Sequence, residues 1–322
     1  MTTRWGILGT GQMAAALVGA VREAGGEVTA VASRADATAE AFAGRHAIPQ
    51  WFGSYSALAN PGLDAVYVAT TNQRHLADTI PILEAGVGVL CEKPLALDAA
   101  QAATMAEAAR SSRSFLMEAM WMVFQPAFEK MERLIGEGAI GTVHHVQADF
   151  GFPADLEPAS RLADPALGGG ALLDIGIYPL SFAHALLGPP TRSEAVGVIG
   201  STGVDLQVGV ASVHGDVLAD LSASFLADSS LEAVVSGSEG RLRLHAPFHH
   251  SPRITLHRRG DQVDMWETSY QGSGYRFEVE EVQRCLAAGL TESDRRPLAD
   301  TLEVMQWMDA IRERIGVTYP AE

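Results

Sequence analysis

The chain has 322 residues, 47% hydrophobic and 19% charged, with a formal net charge of -16. At roughly 150 residues per domain, the length predicts two domains, and the composition supports a buried core rather than a disordered tract. The acidity argues against nucleic acid as a partner, because phosphate binding needs clustered Lys and Arg.

Short apolar runs and helical patterns alternate over the first third of the chain. Trp5–Leu8 reads as a strand, Met13–Ala24 as a helix, Val28–Ala32 as a strand and Ala37–Arg45 as a helix. Ala65–Ala69 is a further apolar run, followed by a helix at His75–Ala85, a strand at Val87–Cys91, an Ala-rich helix at Leu97–Arg110 and a short strand at Phe115–Met117. Continuous apolar strands alternating with helices predict a parallel sheet covered on both faces.

The pattern then changes. Ala127–Ile135 reads as a helix and Val143–Phe150 alternates. From residue 191 to 267 the signal is strand after strand: Val204–Val213, Val217–Phe225, Leu231–Ser236, Leu242–His245, Ile254–Arg258 and Val263–Glu267. Period-two alternation predicts a large, mostly antiparallel open sheet with one covered face. Two closing helices follow, one carrying Tyr275, Val279, Val282 and Leu286 on a single face and one over Leu298–Ile315. The fold class expected is therefore an α/β doubly wound domain over 1–120 and an α+β domain over 121–322, with the closing helices free to pack back across the boundary.

Gly9-Thr10-Gly11-Gln12-Met13-Ala14 has the form G-x-G-x-x-A at the first strand–helix junction. The first glycine makes the tight turn, the second admits a pyrophosphate, and the small third residue lets helix and strand pack closely. This is the dinucleotide cradle of a Rossmann domain, with the anion on a helix N-terminus. The second strand ends in Ser33-Arg34, where an NAD-binding chain would carry a carboxylate. Arg presents a planar, always charged fork suited to a 2′-phosphate, so the cofactor expected is NADP. The fifth strand runs into Glu92-Lys93-Pro94 at the sheet edge where ligands bind.

These motifs, with Gly168-Gly169-Gly170-Ala171-Leu172-Leu173-Asp174-Ile175-Gly176-Ile177-Tyr178-Pro179, resemble the glucose–fructose oxidoreductase / inositol dehydrogenase (Gfo/Idh/MocA) superfamily over essentially the whole chain. Met117–Trp121, Ala148–Phe152 and Tyr319-Pro320 resemble its NADP-dependent trans-dihydrodiol dehydrogenase / D-xylose 1-dehydrogenase branch. The resemblance implies hydride transfer between nicotinamide and a sugar, polyol or cyclic diol. It implies Tyr178 as acid/base, Lys93 assisting after a cis Lys93–Pro94 peptide, and Asp174 orienting substrate or Lys93. It also implies cofactor contacts from the segment Thr70, Asn72 and His75 and from Glu92. Trp121 and Phe152 are candidate substrate residues.

Chemistry supports a Tyr–Lys pair independently. Alcohol oxidation needs a base for the hydroxyl proton, and a tyrosine with its reference pKa near ~10 is a poor base unless a cation favours the phenolate. The chain departs from the family at Thr71, where proline is common, and at Trp121-Met122-Val123, where a basic residue is missing. The alternatives are an NAD(P)-assisted glycoside hydrolase, which would hold its cofactor tightly, and a cofactor-sensing regulator, which would not need both Lys93 and Tyr178.

Cys91 and Cys285 are the only cysteines, and they suggest no disulfide framework. Cys91 reads as packing. His144-His145 and His249-His250 point to opposite faces of extended backbone and make no metal site, so no metal is expected. Met1–Arg4 shows no charged and apolar leader, and no apolar run of about 18 residues stands out, so the expectations are a cytoplasmic protein without a membrane anchor. The exposed face of the open sheet is expected to make a homodimer.

Overall fold

The computed structural model describes residues 2–157, 160–260 and 262–320. The chain forms two compact units. Unit 1 is Met1–Trp121 with Gln271–Leu302, and unit 2 is Met122–Tyr270 with Glu303–Glu322.

Unit 1 holds a six-stranded sheet of β1 (Arg4–Leu8), β2 (Glu27–Ala32), β3 (Gln50–Phe52), β4 (Ala65–Val68), β5 (Gly88–Cys91) and β6 (Leu116–Glu118). Its order is β3-β2-β1-β4-β5-β6, and every pairing is parallel. Each residue of β4 and β5 is buried, as the unbroken apolar runs require when helices cover both faces. The covering helices are α1 (Gln12–Glu23), α2 (Asp36–His46), α3 (His75–Glu84) and α4 (Ala99–Ser112). The strand order reverses between β1 and β4, the switch point where such sheets bind ligands. The short edge strand β3 has two exposed residues and no apolar run, so the sequence gives it no signal.

The expected second domain, 121–322, is interrupted. α7 (Arg276–Ala287) and the segment to Leu302 belong to unit 1. The physical cause is burial of the apolar face of α7, with Val279 and Val282 fully buried, together with polar ties. Gln283 Nε2 donates to Ala24 O at 3.0 Å, Ser273 N to a Glu23 carboxylate oxygen at 2.7 Å, and Leu116 N to Thr291 O at 3.1 Å.

Unit 2 is an eight-stranded sheet of β7 (Val143–Gly151), β8 (Arg192–Ile199), β9 (Asp205–His214), β10 (Val217–Ser224), β11 (Ala233–Gly237), β12 (Gly240–Leu244), β13 (Arg253–Arg258) and β14 (Val263–Glu267). The order is β14-β13-β12-β11-β7-β10-β9-β8. All neighbours are antiparallel except β7 and β10. α5 (Pro126–Gly136) and α6 (Ile177–Leu187) cover one face. Val146, Ala148, Leu221, Ala223, Val235 and Leu242 point into it, buried to 4% exposure or less. Phe182 of α6 packs edge-on against Phe128 and Phe248, with ring centres 5.8 and 5.7 Å apart. α8 (Leu298–Ile315) spans the division between the units.

One sequence expectation is corrected here. The helical stretch Pro165–Leu187 is long and apolar enough to cross a membrane, but 78% of its most apolar window is buried. Its apolar residues, among them Leu172, Leu173, Ile177, Leu180 and Phe182, are buried in unit 2.

Candidate functional site

In unit 1 the cradle follows from the geometry of its glycines. Gly9 sits at φ +112, and a Cβ there would meet Ala69 O at 2.6 Å, so both backbone conformation and space demand glycine. Gly11 is the N-cap of α1 and faces open space, with nothing within 4 Å of a built Cβ. No side chain caps α1 and no acidic residue lies in its first turn, so its first N–H groups and dipole remain available to an anion. Ala14 is fully buried against the sheet. Thr10 and Met13 are partly exposed and Gln12 is exposed. These residues fit a dinucleotide pyrophosphate.

Ser33 is buried, and its N–H donates to Phe52 O at 3.0 Å. Arg34 is exposed and lines a cavity of about 410 Å³ with Ser54, Tyr55, Ser56 and Arg74. Arg74 reaches this cavity held by Asp78, with Nε 3.1 Å from Oδ2. Its guanidinium also lies over the Tyr55 ring, 5.3 Å from the ring centre.

The Lys93 loop is fastened at both ends. The Lys93–Pro94 peptide is cis, as the resemblance implies. His75 is fully buried, with Nδ1 2.9 Å from Pro94 O and Nε2 3.2 Å from Thr70 O. Burial pushes its pKa down. His75 thereby ties the loop at Thr70 to the loop at Pro94. Asn72, almost as buried, opens the turn Asn72–Arg74. Thr71 before it has φ -77, inside the range proline would impose, so the departure from the family leaves the turn intact.

On the other side, Glu118 accepts Leu95 N at 3.1 Å, Arg296 Nη2 at 2.7 Å and Thr301 Oγ1 at 3.2 Å. Glu118 and Arg296 are each 1% exposed, so this ion pair is anchored by hydrogen bonds where an unpaired charge would be costly. Glu92 accepts the Tyr67 hydroxyl proton and the Lys93 N–H, the latter at 3.2 Å. Glu278 of α7 is buried, and burial together with the Glu92 charge pushes its carboxyl well above the usual carboxylate range. Burial likewise pushes the Cys91 thiol up, which suits packing and not nucleophilic attack. Trp121 closes unit 1, 8% exposed, its ring 4.3 Å from that of Tyr275.

In unit 2, Tyr178 stands at the start of α6, directly after a π-helical turn at Leu172–Gly176. Such turns widen a helix locally and recur at functional sites. Tyr178 is 7% exposed. Its ring lies 5.4 Å from Phe150 and 5.2 Å from His249, which stack on each other at 4.6 Å. Phe152 continues this aromatic wall, 6.3 Å from Phe150 and 5.7 Å from Phe225. Asp174 lies inside the π turn and pairs with Arg161 at 3.1 Å. Asp205 accepts Leu172 N, at the start of that turn, at 2.6 Å.

Sequence reasoning misses three of these participants. Arg161 lies in an irregular segment with no periodicity. His249 is visible in the sequence only as one of two adjacent histidines. Asp205 opens a strand some thirty residues from the turn it serves. The two histidine pairs do unrelated work: His145 Nε2 lies 2.8 Å from Asp220 Oδ2 on β10, while His249 stacks in the wall.

The parallel sheet, its switch point and its open cradle define a dinucleotide-binding oxidoreductase with a second, largely antiparallel unit. Residues 3–120 match the oxidoreductase family with NAD-binding Rossmann fold, and residues 128–243 match the GFO/IDH/MocA C-terminal domain. The chain belongs to the GFO/IDH/MocA oxidoreductase family. It is 38% identical to trans-1,2-dihydrobenzene-1,2-diol dehydrogenase of Danio rerio, over 99% of this chain and 98% of that protein. It is 33% identical to the human protein of that name, over 100% and 99% of the two chains. Among solved structures it resembles a 3-ketoreductase from Actinomadura kijaniata in complex with NADP and TDP-benzene, at TM-score 0.86 and 27% identity over 98% of each chain. The fold is also that of levoglucosan dehydrogenase in complex with NADH, at TM-score 0.89 and 21% identity over 98% of each chain.

Proposed function

We propose that the protein is an NADP(H)-dependent dehydrogenase acting on a CH–OH group of a cyclic diol, sugar or polyol. The observation that carries this reading is the setting of Tyr178: a hydroxyl-bearing ring on a π turn, in an aromatic wall of Phe150, Phe152 and His249, with Asp174 close by. That wall offers apolar faces to a ring, and the phenol offers a proton to an alkoxide or takes one from an alcohol. The relatives named for a cyclic diol support the substrate class.

Bound nicotinamide would supply the hydride acceptor or donor. Gly9, Thr10, Gly11, Gln12 and Met13 would hold the pyrophosphate, and Ser33 and Arg34 the adenosine ribose, with Thr70, Asn72, Glu92 and Lys93 toward the nicotinamide end. Lys93 would stabilise charge on the substrate oxygen. Trp121 and Phe152 would flank substrate. Arg34 and Arg74 on one cavity, with Ser54 and Ser56, give a cationic and hydroxyl-rich lining that suits a 2′-phosphate. We assign NADP over NAD on that basis.

A homodimer through the outer face of the unit 2 sheet completes the proposal. That face carries Val196 at 76% exposure, Val198 at 49% and Leu218 at 45%, beside an open depression of about 620 Å³ lined by Gln147, Glu194 and Asp220. Such a mixed, two-sided surface suits a self-complementary interface. A solution mass of one chain at micromolar concentration would contradict it. We place the enzyme in the cytoplasm.

The test of the activity is the reduced-nicotinamide absorbance with D-xylose, D-glucose, xylitol and trans-1,2-cyclohexanediol, each with NADP and with NAD. NADP-preferring turnover of at least one is expected. Tight NADP binding without turnover of any, but with release of sugar from an aryl glycoside, would replace the reading with cofactor-assisted hydrolysis.

A further inference from the structure

The turn that carries Asp174 and leads to Tyr178 is held by two residues far from it in sequence. Asp205, the first residue of β9, is fully buried and accepts the Leu172 N–H at 2.6 Å. The first N–H groups of a helix lack partners within it. Ala171, at the N-cap position, offers no side-chain bond, so a carboxylate from the neighbouring sheet supplies the cap. Tyr319, in the segment after α8, donates its hydroxyl to Gly169 O at 2.7 Å. The Arg312 guanidinium lies over the Tyr319 ring, 4.9 Å from its centre.

Between these two anchors the backbone has no freedom to substitute. Gly170 sits at φ +118, and a Cβ there would collide with the Asp205 carboxylate. A Cβ on Gly169 would meet Leu162 O at 2.7 Å and Asp164 O at 2.9 Å. The glycine run is thus pressed between the loop at 162–164, the Asp205 carboxylate and the Tyr319 hydroxyl, and all of these groups lie in unit 2.

We propose that Asp205 and Tyr319 form a clamp that sets the first turn of the Tyr178 helix, and are positioning residues for the hydride-transfer reaction. Leu172, where Asp205 acts, stands six residues before Tyr178, so a rotation of the first turn carries directly to the phenol. A misplacement of about 1 Å in a reacting group can cost ~100-fold in rate. Asp205 is buried away from any substrate, and the Tyr319 hydroxyl is engaged with Gly169 O. Both act through the backbone that bears Tyr178. The inference rests on the reading of Tyr178 as acid/base.

The experiment is a double-mutant cycle on the full-length enzyme, with whichever of the four probe alcohols turns over fastest. Tyr319→Phe removes a single hydroxyl and is expected to lower kcat about tenfold. KM and the Kd for NADPH, read by nicotinamide fluorescence, are expected to move less than about twofold, because the cradle lies in unit 1. Asp205→Asn, which keeps shape but loses the charge, is the second variant, with melting temperature and NADPH bound per chain as folding controls. In a Tyr178→Phe background neither change is expected to slow the residual rate further, since the positioned group is gone. Tyr319→Phe and Asp205→Asn with unaltered kcat would overturn the clamp. So would proportional losses in both backgrounds matched by loss of NADPH sites, which mark a smaller folded fraction. Wild-type turnover by Tyr178→Phe alone would instead overturn the acid/base reading on which the clamp depends.

Discussion

The two units place their candidate functional residues by different means. In unit 1 the functional groups sit on consecutive loops at one edge of a parallel sheet, and local backbone rules place them: a glycine at φ +112, an uncapped helix start, a loop pinned by His75. In unit 2 Tyr178 belongs to a core helix, and its surroundings come from β7, from the 246–251 turn and from the start of β9. A cradle made from local geometry is robust to changes elsewhere. A phenol set by tertiary packing depends on many remote contacts.

That contrast can be broken most severely at Tyr178. Tyr178→Phe is expected to lower kcat by ~10²- to 10⁴-fold, the usual worth of a positioned acid/base, while the Kd for NADPH stays near the wild-type value. Steady-state kinetics with fluorescence titration would show it. Parallel loss of cofactor binding would mean that Tyr178 serves structure instead.

Next in size is Glu118→Gln. Removing the charge from a pair in which both partners are 1% exposed leaves Arg296 buried without its counter-ion, at a cost of about 3–5 kcal/mol. Denaturant melts should show unit 1 losing stability. An unchanged midpoint would deny the pair its anchoring role.

Gly9→Ala sharpens the comparison from the cofactor side. The strain at positive φ, roughly 1–2 kcal/mol, adds to a collision with Ala69 O. NADPH affinity is expected to fall at least ~10-fold, since 1.4 kcal/mol is a factor of ten. Arg34→Ala is expected to reduce the NADP-over-NAD preference in kcat/KM by about tenfold with little effect on NAD, the value of one charge-assisted contact. An undiminished preference would move the 2′-phosphate away from this cavity.

A further effect, on stability and not on activity, concerns pH. Burial raises the Asp205 carboxyl to about 6 in the folded state, against ~3.9 in an unfolded chain. The folded protein therefore retains a proton that the unfolded chain has lost between those values. Its contribution to stability is fully present below the unfolded value and is lost as pH rises through about 6. Asp205→Asn should flatten the slope of stability over pH 4–6 by an amount on the order of 2–3 kcal/mol.

Much of unit 1 was legible in the sequence because its signals are local: unbroken apolar strands, G-x-G-x-x-A at the first junction, Ser33-Arg34 after β2 and Glu92-Lys93-Pro94 after β5. β3 escaped because a three-residue edge strand carries no periodicity. For 271–302 the spacing shows that Val279 and Val282 are buried but not in which unit, and polar ties such as Gln283 to Ala24 O leave no sequence signal. In unit 2 the strands could be read from alternation, but the wall around Tyr178 could not. Phe150 of β7 and His249 of the turn Phe248–His250 meet only in the folded chain, and Asp205 reaches Leu172 from the start of β9. Asp174 and Tyr178 share a sequence spacing of one ordinary helical turn, yet Asp174 lies within a π turn and Tyr178 in the α-helix after it, and that departure leaves no mark in the residue pattern.

The most direct test is a single-turnover measurement of nicotinamide oxidation or reduction in wild type and Tyr178→Phe, both saturated with NADP(H), across pH. The account predicts a fast step in wild type whose rate follows one ionisation, and a step in Tyr178→Phe slower by ~10²-fold or more without that ionisation. The same rate and the same pH dependence in both proteins would contradict the assignment of Tyr178 as the group that moves the proton.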